Sequence, residues 1–212
     1  MAEPMMQSPL HAFDLAARAK PLDASCGVWV SELPLLGYIS LRGQSADQAF
    51  KQAIASVVGV ALPAKPCALA ATNTATSTAK ILWLSPDEWL IVCPRARLKP
   101  LLGEMSQALL NVKHQIADNS GGYTQIYLQG KNARDLLSHT SVYDLEALTP
   151  GRVVGTTFGK SSVYMHRQLD GYCLLLRRSF ADYIWRYLVR AAEPYCFGVA
   201  QIDHSKIRGD AL

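Results

Sequence analysis

No apolar run in this sequence approaches the ~18 residues that a membrane-spanning helix needs, so no membrane association is expected. Residues 1–20 carry Glu3, Pro4 and Pro9 and lack a basic start followed by an apolar stretch, which is not the pattern of a secretory signal. The expected compartment is the cytoplasm. No block of lysine and arginine stands out, because 21 basic and 17 acidic side chains leave a net charge of only +4. An extended nucleic-acid footprint needs clustered positive charge and is not expected.

The usual chemical signatures are missing as well. There is no GxGxxG, GxxxxGK[ST] or GxSxG, so the glycine-rich turns that cradle phosphates or expose a nucleophile are not expected. None of the five histidines has a histidine partner four residues on, and HExxH is absent, which disfavours a zinc site. The five cysteines, Cys26, Cys67, Cys93, Cys173 and Cys196, are odd in number, far apart in sequence and form no CxxC. They read as small hydrophobes in a reducing compartment. No catalytic, cofactor-binding or metal-ligating residue is therefore expected in this chain.

What is present is a core. Half of the 212 residues are hydrophobic and 18% are charged. A chain of this size buries roughly 70% of the surface it exposes when unfolded. Residues 1–24 read as a loose N-terminal arm. Strands are expected at 28–31 and 37–42, and Ser45-Ala46-Asp47-Gln48 fits a capping box ahead of a helix that Gly59 ends. Phe50, Ile54, Val57 and Val58 lie at helical spacing on one face of that helix. Residues 63–78 are a small-residue connector. A hairpin follows at 80–84 and 89–93, turning on Ser85-Pro86-Asp87-Glu88, and then an amphipathic helix over 98–112.

The order then repeats. A strand at 123–128 leads to a helix at 131–139, strands at 153–158, 163–167 and 172–176, with a turn at Leu169-Asp170-Gly171, and a last helix. Phe180, Ile184, Trp185, Leu188, Val189 and Ala192 give that helix one apolar face. Leu41-Arg42-Gly43 and Leu128-Gln129-Gly130 each precede a helix. Asp87-Glu88-Trp89-Leu90 matches Asp170-Gly171-Tyr172-Cys173 at nearly the same offset along the chain. We read an internal duplication. The expected fold class is α+β, with two related subdomains of strand, helix, hairpin and helix. They are expected at residues 25–113 and 114–200, followed by a polar tail at 201–212.

Some residues carry two readings. Trp83 and Trp89 on the hairpin can line the core or face a partner, since tryptophan is enriched at interfaces. Asp118-Asn119-Ser120 fits a local turn that bonds its own backbone, or a polar trio facing a ligand. The absence of an evident catalytic group in a well-patterned chain points to a binding or assembly role.

The motifs resemble the gamma subunit family of heterotetrameric sarcosine oxidase. Glu32-Leu33-Pro34-Leu35, Ile39-Ser40-Leu41-Arg42-Gly43, Gly59-Val60-Ala61-Leu62-Pro63, Leu82-Trp83-Leu84-Ser85-Pro86-Asp87-Glu88-Trp89-Leu90, Asp118-Asn119-Ser120 and Arg178-Ser179-Phe180-Ala181 occur in that family's order. The second half is also similar to the folate-binding part of the glycine-cleavage aminomethyltransferases. That family carries an acidic residue on the strand before the last hairpin arm, whereas Val163-Tyr164-Met165-His166-Arg167 holds no carboxylate.

The resemblance implies a non-catalytic subunit of a complex that oxidatively demethylates sarcosine to glycine with oxygen as acceptor. It implies alpha, beta and delta partner subunits. It also implies NAD, FAD, FMN and tetrahydrofolate in the complex, with none bound by this chain alone. Partner contacts are expected at His11 and Phe13 on the arm, at Trp83 and Trp89 on the hairpin, and at Asn119. The alternative is a stand-alone folate-binding or aminomethyltransferase-like protein.

Overall fold

The structure is a computed structural model, and it describes residues 6–72, 79–168 and 170–201. The chain runs through α1 (Leu15–Arg18), β1 (Val28–Leu33), β2 (Gly37–Gly43), α2 (Gln48–Val58), β3 (Leu69–Ala71), β4 (Lys80–Ser85) and β5 (Glu88–Cys93). It continues through α3 (Arg95–Ala108), β6 (His114–Asp118), β7 (Tyr123–Gln129), α4 (Ala133–Thr140) and β8 (Val153–Phe158). It ends with β9 (Ser161–Gln168), β10 (Gly171–Arg177), α5 (Ala181–Ala192) and β11 (Phe197–Val199). This is the α+β class read from the sequence.

Two sheets result. One has the order β3-β4-β5-β2-β6 and the other β11-β1-β7-β10-β9-β8. The duplication is visible in these orders. The series β2, α2, β3, β4, β5, α3 is matched by β7, α4, β8, β9, β10, α5, and the four shared strands lie as β3-β4-β5-β2 in one sheet and β8-β9-β10-β7 in the other. The flanking strands are exchanged. β1 precedes β2 in sequence but pairs antiparallel with β7, Val30 opposite Leu128. β6 precedes β7 but pairs antiparallel with β2, Leu41 opposite Ile116.

The chain accordingly forms two compact units. Among the described residues, one comprises 6–35, 122–149 and 154–201, and the other comprises 36–72, 79–121 and 150–153. The sequential division at 113/114 therefore does not follow the sheets. A strand's place is decided by the backbone it pairs with, and that partner need not adjoin it in sequence.

In the five-stranded unit, α2 and α3 cover one sheet face. Ile39 and Leu41 of β2, Ile81 of β4 and Trp89 and Ile91 of β5 meet Phe50, Ile54 and Val58 of α2 and Leu98, Leu101 and Met105 of α3. The period-2 strand pattern and the 3–4 spacing of the helices bring these side chains onto facing surfaces. α2 is capped by Asp47, whose Oδ1 accepts from the amides of Ala49 at 2.8 Å and Phe50 at 3.3 Å. That corrects the capping box at Ser45: the aspartate two residues on is better placed, and a carboxylate at a helix N-terminus also complements the dipole. Gly59 ends the helix in the left-handed region at φ 83°, as expected.

The β4–β5 turn is the tight Pro86-Asp87 turn read from the sequence, with the Ser85 hydroxyl donating to Asp87 Oδ1 at 2.8 Å. The connector at 63–78 is not all irregular, because Leu69–Ala71 adds β3 beside β4. Its residues 73–78 lie outside the described residues, as do residue 169 of the β9–β10 turn and residues 202–212 of the expected tail.

In the six-stranded unit, α4 packs on β1 and on α5. The buried stripe of α5 is Ala181, Ile184, Trp185, Leu188 and Ala192. Phe180, expected on that stripe, sits before the first turn and is exposed.

Candidate functional site

The N-terminal arm is tied down rather than loose between residues 7 and 20. The Ser8 hydroxyl donates to Glu32 Oε2 on β1. Leu10 is buried. The Arg178 guanidinium donates to the Gln7 carbonyl at 2.8 Å, and Lys20 N donates to Val199 O at 3.0 Å, pairing the arm with β11. The Phe13 ring lies 5.7 Å from Trp185 and the Arg186 guanidinium sits 5.2 Å over it. Such tilted aromatic and cation–π contacts contribute on the order of 0.5–1.5 kcal/mol each. His11 stays exposed. Phe13, Arg18, Arg186, Val189, Arg190 and Glu193 line an open groove of about 470 Å³ along α5. Arg186 is paired with Asp182, its Nε donating to Oδ2 at 2.9 Å, so the groove combines an apolar floor with a rim of mixed charge.

Of the other expected contact residues, Trp83, Trp89 and Asn119 belong to the five-stranded unit. Trp89 is a correction: it is 0% exposed, and its indole N–H donates to the Pro63 carbonyl at 2.8 Å. It is a core residue, because the alternation that places Ile91 inward places Trp89 inward too. Trp83, its cross-strand partner, is half-buried and packs on the same core. Asn119 is held against β2: its backbone N donates to Tyr38 O at 2.8 Å and its Nδ2 to Ser40 Oγ at 3.2 Å. Asp118 Oδ1 accepts from the Ser120 amide at 2.9 Å, and Ser120 Oγ accepts from Tyr38 N at 3.0 Å. Asp118 thus takes the local turn reading, whereas the side chains of Asn119 and Ser120 also tie this segment to β2.

A second cavity, of about 500 Å³, opens on the six-stranded sheet. Tyr123, Gly155, Thr156, Tyr164, Leu175 and Arg177 line it, with the Arg177 guanidinium 5.6 Å from the Tyr123 ring centre. Hydroxyls, two rings and one cation can hold a polar or anionic group. The lining offers no carboxylate, imidazole or thiol to move a proton near neutral pH. Among the described residues no three His, Cys, Asp or Glu side chains gather as a metal site would require.

Sequence reasoning missed Glu32 as a buried acid. It is 6% exposed on β1, and Thr124 Oγ1 donates to its Oε1 at 2.9 Å. Burial raises its pKa, and the hydrogen bonds from Ser8 and Thr124 offset this only in part. The folded chain thus holds this proton more tightly than the unfolded chain. The stabilising contribution is complete below the ordinary glutamate range and is lost as pH rises through the raised folded pKa. Glu32→Gln, which removes the buried charge and keeps the shape, is expected to melt a few degrees above the parent at pH 7, with the gap closing near about pH 4. A lower melting temperature at pH 7 would show that the ionised form is net stabilising.

These surfaces can be set beside known proteins. Residues 42–193 match the sarcosine oxidase, gamma subunit family. The sarcosine oxidase subunit gamma of Corynebacterium sp. (strain U-96) is 26% identical over 195 residues, covering 90% of this chain and 92% of that one. In a structure of heterotetrameric sarcosine oxidase from Corynebacterium sp. U-96 in complex with pyrrole 2-carboxylate, one chain superposes with a TM-score of 0.78 at 23% identity, over 89% of this chain and 95% of that one. The glycine cleavage system aminomethyltransferase T from Bartonella henselae shares the fold at a TM-score of 0.68 and 13% identity, over 91% of this chain and 58% of that one. The family match runs through both repeats and includes the tryptophan hairpin and α5, so the chain belongs to the sarcosine oxidase gamma subunit family.

Proposed function

We propose that this chain is a non-catalytic subunit of a cytoplasmic heterotetrameric sarcosine oxidase, assembled with alpha, beta and delta chains. The complex oxidatively demethylates sarcosine to glycine with oxygen as acceptor, and tetrahydrofolate takes the one-carbon unit. NAD, FAD and FMN are carried by the other chains. The supporting observation is the family match across residues 42–193. The arm at His11 and Phe13, with the arginine-lined groove beside it, and the exposed edge of Trp83 form the surfaces offered to the partners. An aromatic anchor flanked by guanidinium groups is the composition that interface hot spots favour.

The test uses the purified chain alone. Supplied with sarcosine, oxygen and tetrahydrofolate, it is expected to form neither glycine nor peroxide, and calorimetry is expected to show no tight tetrahydrofolate binding. Sarcosine turnover by the isolated chain would overturn the non-catalytic role. Tight folate binding would favour a stand-alone folate protein, the reading to which the aminomethyltransferase-like fold lends some support.

A further inference from the structure

Cys26 and Cys196 stand far apart in the sequence, and the fold brings them together. Cys26 directly precedes the Gly27–Val28 entry into β1, and Cys196 directly precedes β11. The two strands run parallel, Val28 opposite Phe197. Gly27 N donates to Tyr195 O at 2.8 Å and Val28 N to Cys196 O at 3.2 Å, so the backbone fixes both cysteines from either side. Their sulfurs lie 2.7 Å apart. Cys196 holds φ 56°, a left-handed conformation uncommon for a residue with a side chain. Cys196 is exposed and Cys26 half-buried, so solvent reaches the pair. Cys93 and Cys173 differ: both are buried, and the Cys173 thiol donates to Gln125 Oε1 at 3.3 Å.

We infer that Cys26 and Cys196 are a dithiol that peroxide-class oxidants convert to a disulfide joining the start of β1 to the start of β11. One thiolate attacks the peroxide oxygen, giving a sulfenic acid and hydroxide. The second thiol then displaces the sulfenic oxygen as water, so two thiols and one hydrogen peroxide yield one disulfide and two waters. The bond closes a loop with a sequence separation of 170 residues, and long loops are where a cross-link restrains the unfolded chain most. It also staples β11, a three-residue edge strand. This inference stands on the geometry of one unit and needs no partner chain.

The test treats the reduced full-length chain with hydrogen peroxide, blocks remaining thiols by alkylation, and maps peptides without reduction. Expected is a single Cys26–Cys196 link, reversed by dithiothreitol, with Cys67, Cys93 and Cys173 recovered as alkylated thiols. Oxidation is expected to raise Tm by several degrees in the parent and leave it unchanged in Cys26→Ser and Cys196→Ser. Recovery of Cys26 and Cys196 as separate thiols or sulfinic acids would overturn the inference. So would cross-links between chains as the main product. If either serine variant does not fold, the peptide map of the parent decides alone.

Discussion

Replacing Trp89 with alanine is expected to remove a large share of this chain's stability. The indole is among the largest fully buried side chains, and its ring centre lies 5.8 Å from that of Phe50 on α2. Truncating a buried tryptophan costs about 3–5 kcal/mol, because the lost burial is compounded by a cavity that neighbours fill only partly. The Pro63 carbonyl loses the donor it holds at 2.8 Å, and an unpaired buried acceptor costs about 1–3 kcal/mol more. A whole domain is stable by only about 5–15 kcal/mol. Thermal melts by circular dichroism are expected to show a collapse in Tm or a chain that does not fold. Trp89→Phe keeps most of the volume and loses the hydrogen bond, so its expected loss is distinctly smaller. A loss below about 1 kcal/mol for the alanine variant would contradict the placement of Trp89 in the core.

The second large effect is expected at Gly130, where β7 turns toward α4. It has φ 108°, and an added Cβ would lie 2.6 Å from the Gly27 carbonyl oxygen. That oxygen is rigidly held, since it accepts from Asn132 N at 2.9 Å. Gly130→Ala therefore combines a disfavoured backbone region, about 1–3 kcal/mol, with a clash against backbone that cannot swing away, about 1–3 kcal/mol. Gly151 is the control. It has φ 78° and nothing within 4 Å of its added Cβ, so Gly151→Ala carries the backbone penalty alone. Urea titrations are expected to rank the parent first, Gly151→Ala next and Gly130→Ala last. Equal losses in the two variants would remove the clash at Gly27 from the explanation.

Gly130 also shows what the sequence can reveal. Leu128-Gln129-Gly130 stands out as a partner of Leu41-Arg42-Gly43 because both end a strand ahead of a helix. At Gly43 a Cβ would meet the Phe50 ring at 2.4 Å, and at Gly130 it would meet backbone. The two glycines are needed for close approach, and that need leaves a residue type behind. The Pro86-Asp87 turn, the Gly59 helix end and the face of α5 are legible for similar local reasons.

The strand exchange is not local. β1 and β6 pair across about a hundred and about eighty positions of sequence respectively, and no residue pattern in a strand names its partner. β3, β6 and β11 are not legible in the sequence because they are short, polar or at a sheet edge, where burial imposes little alternation. The placement of Trp89 turned on which face of β5 meets the helices, and both readings use the same residues. The pairing of Cys26 with Cys196 depends on β11 lying beside β1, so spacing alone read those cysteines as unrelated.

The central claim is that this chain works as a subunit beside flavin-bearing partners, and one measurement reaches it most directly. A tagged copy is expressed in its source cells grown on sarcosine and captured from lysate. The eluate is read by visible absorbance and by peptide mass on each gel band. Expected is a yellow eluate with flavin absorbance in which alpha, beta and delta chains of sarcosine oxidase co-elute with the tagged chain. A colourless eluate with the tagged chain alone would contradict the subunit role.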